Sequence, residues 1–121
     1  MIKIKQAYEK ASKDDGFRIL VDGAWPKGLS KDDGRIDLWV RQIAPTPPLN
    51  KWFGADIKKF REFSRRYSSE LENRWGFLKR IHDAERDNET ITLIYASKDH
   101  KHNSAVVLKE YLENMRQKVF M

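Results

Sequence analysis

Ile91-Thr92-Leu93-Ile94-Tyr95-Ala96, then Ser97-Lys98-Asp99-His100-Lys101-His102-Asn103, then Ser104-Ala105-Val106-Val107-Leu108-Lys109-Glu110-Tyr111: these three runs decide the fold class. The first is a short apolar run of the kind a fully covered strand needs. The second is polar and carries two of the three histidines. The third opens a helix, because Leu108, Tyr111, Leu112 and Met115 recur at i, i+3, i+4 and i+7. A buried strand, a polar turn and an amphipathic helix together form one half of a parallel α/β unit.

Working outward, the segments upstream supply partners for that strand. Ile2-Lys3-Ile4-Lys5 alternates with period two and predicts a half-exposed strand. Residues 7–16 are polar and end in Asp15-Gly16, a turn dipeptide. Phe17–Asp22 contains the continuous run Ile19-Leu20-Val21 and predicts a second strand. A shaped loop follows, with Gly23, Pro26 and Gly28. Ile36–Ile43 reads as a short strand leading into a turn, and Ala44-Pro45-Thr46-Pro47-Pro48 as stiff connector. Leu49–Gly54 predicts one helical turn closed by Gly54. From Asp56, the apolar positions Ile57, Phe60, Phe63, Tyr67 and Leu71 predict a longer helix. Trp75, Phe77, Leu78, Ile81 and Ala84 predict another. Strands bracketing helical segments imply one α/β domain over residues 1–121, a single-domain layered fold with a small, mainly parallel sheet flanked by helices.

The bulk properties narrow the function. A chain of 121 residues fits one domain with its own core. With no cysteine, disulfides, thiolate catalysis and cysteine zinc sites are excluded. No apolar run nears the roughly 18 residues that span a bilayer, and the start of the chain lacks a signal-peptide core. The cytoplasm is the expected location, with no membrane partner. Twenty-four Lys and Arg against 18 Asp and Glu leave a net charge of +6. The excess concentrates between Lys51 and Arg66, where six basic residues face two acidic ones. Lys58, Lys59, Arg61, Arg65 and Arg66 lie opposite the aromatic face of their helix and are candidates for tracking a nucleic-acid backbone. A solvated face, with Glu62 and Arg66 paired at i, i+4, is the commoner outcome for such a run.

Ligands of open α/β sheets bind beyond the carboxyl ends of the strands. Two such ends carry chemistry here. One delivers Asp22 with Trp25 and Lys27; the other delivers Lys98, Asp99, His100, His102 and Asn103. The helix start, near Asp99 to Asn103, favours an anion. The expectation is a pocket for a small anionic or nucleotide-type ligand built from Lys27, Lys98, Asp99, His100, His102 and Asn103, with Asp22 as orienter or base. Acid–base catalysis by His100 or His102 with Asp22 is the enzymatic alternative. The plainer roles are helix capping by Asp99 or Asn103, loop bracing by Asp22, and burial for Trp25, Trp39 and Trp52. His100-x-His102 is not a recognised zinc spacing, so no metal is expected. No phosphate-loop, dinucleotide or nucleophile-elbow motif is present in the sequence, and no cofactor is implied.

Several stretches together resemble the YeaO-like family, domain-of-unknown-function family 488. They are Phe17–Lys31, Asp37–Pro45, Lys51–Gly54, Phe63–Tyr67 and Leu93–Leu108, in that order across nearly the whole chain. The resemblance implies a small cytoplasmic α/β protein and brings no reaction with it. Gly23 stands where the family motif usually has an arginine, and Lys27 where it has another. Longer relatives carry cysteines near the end of the last strand, so any thiol chemistry of theirs does not transfer.

Overall fold

The computed structural model describes residues 1–32 and 35–119. Four strands, β1 (Ile2–Gln6), β2 (Phe17–Leu20), β3 (Leu38–Trp39) and β4 (Ile91–Tyr95), form one sheet in the order β1-β4-β2-β3. Every pairing is parallel. The last strand in sequence is therefore central. It pairs with β1 from Ile2↔Ile91 to Gln6↔Tyr95, and with β2 from Phe17↔Ile91 to Leu20↔Ile94. All five β4 residues are buried, as expected for a strand with neighbours on both edges and cover on both faces.

Four helices accompany the strands, three between β3 and β4 and one after β4: α1 (Pro47–Phe53), α2 (Phe60–Leu71), α3 (Trp75–Asn88) and α4 (Ser104–Val119). Alternation along the strands sends Ile19, Val21, Ile91, Leu93 and Tyr95 to one face. There they join one core with Leu49 and Phe53 of α1, Phe63, Tyr67 and Leu71 of α2, Leu78 and Ile81 of α3, and Ala105, Leu108 and Leu112 of α4. Burying a side chain of this kind stabilises the fold by about 1.5–3 kcal/mol relative to leaving it exposed. The other face, from Leu20 and Ile94, meets a smaller cluster of Ala7, Trp25, Ile36 and Trp39. Helices cover one side of the sheet, and loop segments cover the other.

The polar segment 7–16 is part of that second cover. Ser12 and Asp15 close a reciprocal capping box around a single turn at Lys13–Asp15. The Asp15 carboxylate is buried, 2.7 Å from Lys5 Nζ, with Arg18 at 3.9 Å. The buried Thr92 hydroxyl donates to the Asp15 carbonyl at 2.6 Å. Burial alone would raise the Asp15 pKa, but the Lys5 hydrogen bond, the Ser12 amide and the two cations together lower it.

The elements differ from periodicity in a few places. Asp56 caps a short 3-10 turn, Ile57–Lys59, rather than the helix proper. Ile57, 58% exposed, leaves the apolar stripe for that reason. Trp75 opens α3 and is 46% exposed, because the chain is still turning out of Arg74. The strand expected within Ile36–Ile43 shortens to two residues before a 3-10 turn at Arg41–Ile43. Gly54 closes α1 in the left-handed conformation, as its position suggests.

Gly16 is held to a positive φ of 64°, and a Cβ there would lie 2.2 Å from the Thr90 carbonyl oxygen. Gly16→Ala is expected to destabilise the fold by about 2–4 kcal/mol, since backbone strain and a backbone clash add. Urea unfolding measures this; a loss under about 0.5 kcal/mol would mean that the β2 and β4 entries are free to separate.

Candidate functional site

Parallel pairing puts the carboxyl ends of β2 and β4 side by side. Backbone pairing continues past the strands, with Val21 N donating to Ile94 O at 3.1 Å and Ala7 N to Tyr95 O at 2.7 Å. Asp22 then bridges the two ends: its Oδ2 accepts the Ala96 N–H at 2.8 Å. Its backbone carbonyl accepts the Trp39 indole N–H at 2.8 Å. Two loops that leave separate strands are tied together at one aspartate.

A cleft of about 1030 Å³ opens at this junction. Pockets for drug-sized ligands run to about 1,000 Å³, so a mononucleotide-sized molecule fits with solvent to spare. Asp22, Gly23, Trp25 and Lys27 line it from the β2 side, and Tyr95, Ser97, His102, Asn103 and Ser104 from the β4 side. Phe53 and Phe63, stacked at 4.2 Å, also border it. So do Arg41, Thr46, Asn50 and Arg74, which the motifs did not single out.

The residues expected at the site divide into two groups. Asp22, Lys27, His102 and Asn103 border the cleft, whereas Lys98, Asp99 and His100 do not. Local hydrogen bonding accounts for the division. Asp99 folds the turn on itself, accepting from Lys101 N at 2.9 Å and His102 N at 3.0 Å. Those backbone N–H groups, Lys101's first, hold its carboxyl below the usual aspartate range, with His102 adding to the effect. The turn also fixes His102, whose Nδ1 lies 3.0 Å from Asp99 Oδ2 and whose ring meets Phe60 edge-on. Nδ1 is held by the carboxylate, and among the described residues Nε2 makes no hydrogen bond. His100 is exposed, and its Nδ1 lies 2.9 Å from the Tyr95 hydroxyl. Burial, followed by the charge of Glu9, raises the Tyr95 pKa, so the hydroxyl keeps its proton. Lys98 is exposed. Asn103 is the α4 cap: its Oδ1 accepts Val106 N–H at 3.0 Å while its Nδ2 donates to Asp99 O.

Arg74 reaches the cleft through contacts distant in sequence. It donates to the Ala44 carbonyl and lies 3.7 Å from the Glu70 carboxylate. Glu70 accepts from Thr46 N at 2.9 Å and Thr46 Oγ1 at 2.6 Å. This network holds the Ala44–Pro47 wall against α2, and no local pattern announces it. Arg41 stacks on Trp39, its guanidinium carbon 5.1 Å from the ring centroid. Gly23 faces only Ala44 Cβ, at 3.6 Å from where its own Cβ would be, so packing does not demand a glycine there. Small residues at 23, 24 and 44 leave that wall open.

Trp25 sits edge-on to Trp39 at 5.6 Å and donates to Leu29 O, which matches its expected packing role while it also borders the cleft. Trp52 lies between Lys59 and Arg66, 5.2 and 4.3 Å from its ring centroid. The basic helix face is largely engaged within itself. Glu62 accepts from both Arg65 and Arg66, at 2.7 and 2.8 Å, and these hydrogen bonds hold its pKa near 2. Lys58 and Arg61 remain solvent-facing. Among the described residues, no group of three or more His, Cys, Asp or Glu converges as a metal site would require, and no helix is long and apolar enough to cross a membrane.

The fold and site define a one-domain parallel α/β protein with a ligand-sized cleft at its strand ends. The chain belongs to the YeaO-like family 488: the family described as "Inactive DUF488-N3 subclade" matches residues 1–119. "Uncharacterized protein YeaO" of Escherichia coli K12 is 34% identical over 114 residues, covering 94% of this chain and 98% of YeaO. "Uncharacterized protein Rv3073c" of Mycobacterium tuberculosis H37Rv is 39% identical over 72 residues, which is 60% of this chain and 61% of that relative. No solved structure matches the chain.

Asp22 is half-buried, has one backbone hydrogen bond, and has no cation within ion-pair distance among the described residues. Burial raises its pKa above the ordinary aspartate value, and the Ala96 N–H offsets this only in part. A carboxyl whose folded pKa is raised stabilises the fold most below its unfolded pKa, and the contribution is lost as pH climbs through the folded pKa. Asp22→Asn is therefore expected to have a higher Tm than the parent at pH 7. The gap should close as pH falls below the unfolded aspartate value of about 3.9. Thermal melts across pH measure it, and a variant that is less stable at pH 7 would show that the ionised carboxylate is favourably compensated.

Proposed function

We propose that this chain is a binding protein whose cleft holds a small anionic or nucleotide-type ligand at the carboxyl ends of β2 and β4. The observation that carries the reading is the convergence of Lys27, Arg41 and Arg74 around one cleft with apolar walls. Few convergent polar groups on an apolar lining are what small-molecule sites present. The start of α4, with Asn103 and Ser104 at the cleft, adds a favourable field for negative charge.

Two other readings rank lower. An acid–base enzyme needs His100 or His102 to work with Asp22, yet His100 is turned to Tyr95, and the matching family is described as an inactive subclade. A nucleic-acid module on the Lys58–Arg66 face must recruit cations that Glu62 already neutralises. Lys58 and Arg61 remain solvent-facing for it, and a salt-titrated mobility shift separates the two kinds of binding.

Titration calorimetry with inorganic phosphate and with adenosine 5′-monophosphate tests the preferred reading. Lys27 and Arg41 are exposed, so Lys27→Ala with Arg41→Ala should leave the Tm nearly unchanged and weaken anion binding by about tenfold or more, the effect of losing one charged hydrogen bond. Unchanged affinity in that variant, or no binding by the parent chain, overturns the reading.

A further inference from the structure

We propose that Asp22 reads a hydrogen-bond donor on the ligand, so that the cleft takes an amino-bearing aromatic phosphomonoester of mononucleotide size. This deepens the anion-binding reading above and rests on it.

The starting point is a mismatch of charge. A cleft evolved only to hold an anion has no use for a carboxylate in its wall. Asp22 nevertheless lines the cleft together with Lys27, Arg41 and Arg74. Its Oδ2 is engaged by the Ala96 N–H, and among the described residues no side chain donates to it and no cation lies within 4.0 Å. The remaining carboxylate oxygen can only accept. A ligand that brings an N–H to that oxygen turns an uncompensated charge into a charge-assisted hydrogen bond.

The surroundings narrow the class further. Trp25, Phe53 and Tyr95 border the same cleft and offer flat apolar surface for a ring. Lys27 and Arg41 are on its exposed side, where an ionised phosphate keeps part of its hydration. Donor, ring and phosphate must therefore be separate parts of one molecule, which is the layout of an aminopurine nucleotide. A cleft of about 1030 Å³ has room for it.

The donor can be removed as a single functional group. Adenosine 5′-monophosphate and purine riboside 5′-monophosphate differ only in the exocyclic amine. Calorimetry on the full chain should show the adenosine compound binding about tenfold tighter, with inorganic phosphate weaker than both. In Asp22→Asn, the amide oxygen takes over the Ala96 N–H and the amide NH2 faces the cleft, a donor in place of an acceptor. The preference should then vanish, while phosphate affinity stays level or rises because a negative charge has gone. The Ala96 amide NMR signal should move with adenosine 5′-monophosphate and not with phosphate. Equal binding of the two nucleotides by the parent chain, or tighter adenosine binding by Asp22→Asn, overturns the proposal and leaves the anion reading standing. Failure of all three probes to bind overturns both.

Discussion

The fold depends on β4 being hydrogen-bonded along both edges. Ile91–Tyr95 lines up with β1 on one side and β2 on the other, and all five of its residues are buried. A strand in that position cannot be shifted by one residue, because each slip would send Leu93 and Ile94 to each other's faces. Its fixed register sets where Ala96 emerges, and Ala96 in turn receives Asp22. The helix-side core, the loop-side cover and the cleft are all positioned from this one strand.

The two covers of the sheet are built by different physics. Under the helices, stabilisation comes from area removed from water, with Phe53, Phe63 and Tyr67 forming a stacked aromatic column. On the other side, the segment 7–16 contributes a buried carboxylate balanced by Lys5 and Arg18 and a hydroxyl bond from Thr92. Such a network is costly to break, since removing one partner strands the rest. Asp22 is the contrasting case: half-buried, with the Ala96 N–H as its side-chain partner and no cation within ion-pair distance among the described residues.

The parts of this arrangement that follow local rules were legible in the chain. The run Ile91–Ala96 announced a covered strand, the i, i+3, i+4 spacing from Leu108 announced α4, and the strand-end rule brought Asp22 toward the 97–103 turn. Strand order was not legible, because pairing partners are chosen by tertiary packing and residues 2–6 find theirs some ninety positions away. Arg74 was equally hidden. It sits in a charged stretch with nothing to mark it, and its contacts with the Ala44 carbonyl and Glu70 carry it to the cleft. His100 misled by proximity: two residues from His102, it is turned aside by a hydroxyl at the end of β4. Ile57 and Trp75 fitted their stripes by spacing and are exposed, since helix entry geometry decides the first turn.

The pairing of β1 with β4 also sets a timetable. Ile2–Gln6 is made before every other described element, and its partner Ile91–Tyr95 follows only after three helices and two further strands. Until then β2 also lacks its central neighbour, and only β3 is available to it. Completing the sheet around β4 therefore rests on contacts far apart in sequence, the class that closes most slowly. Ile2, Ile4 and Ile19 all face the helix-covered side of the sheet. The alternating lysines Lys3 and Lys5 keep β1 charged until β4 arrives, and their own partners arrive early: the Asp14 carbonyl 11 residues on and the Asp15 carboxylate 10 residues on.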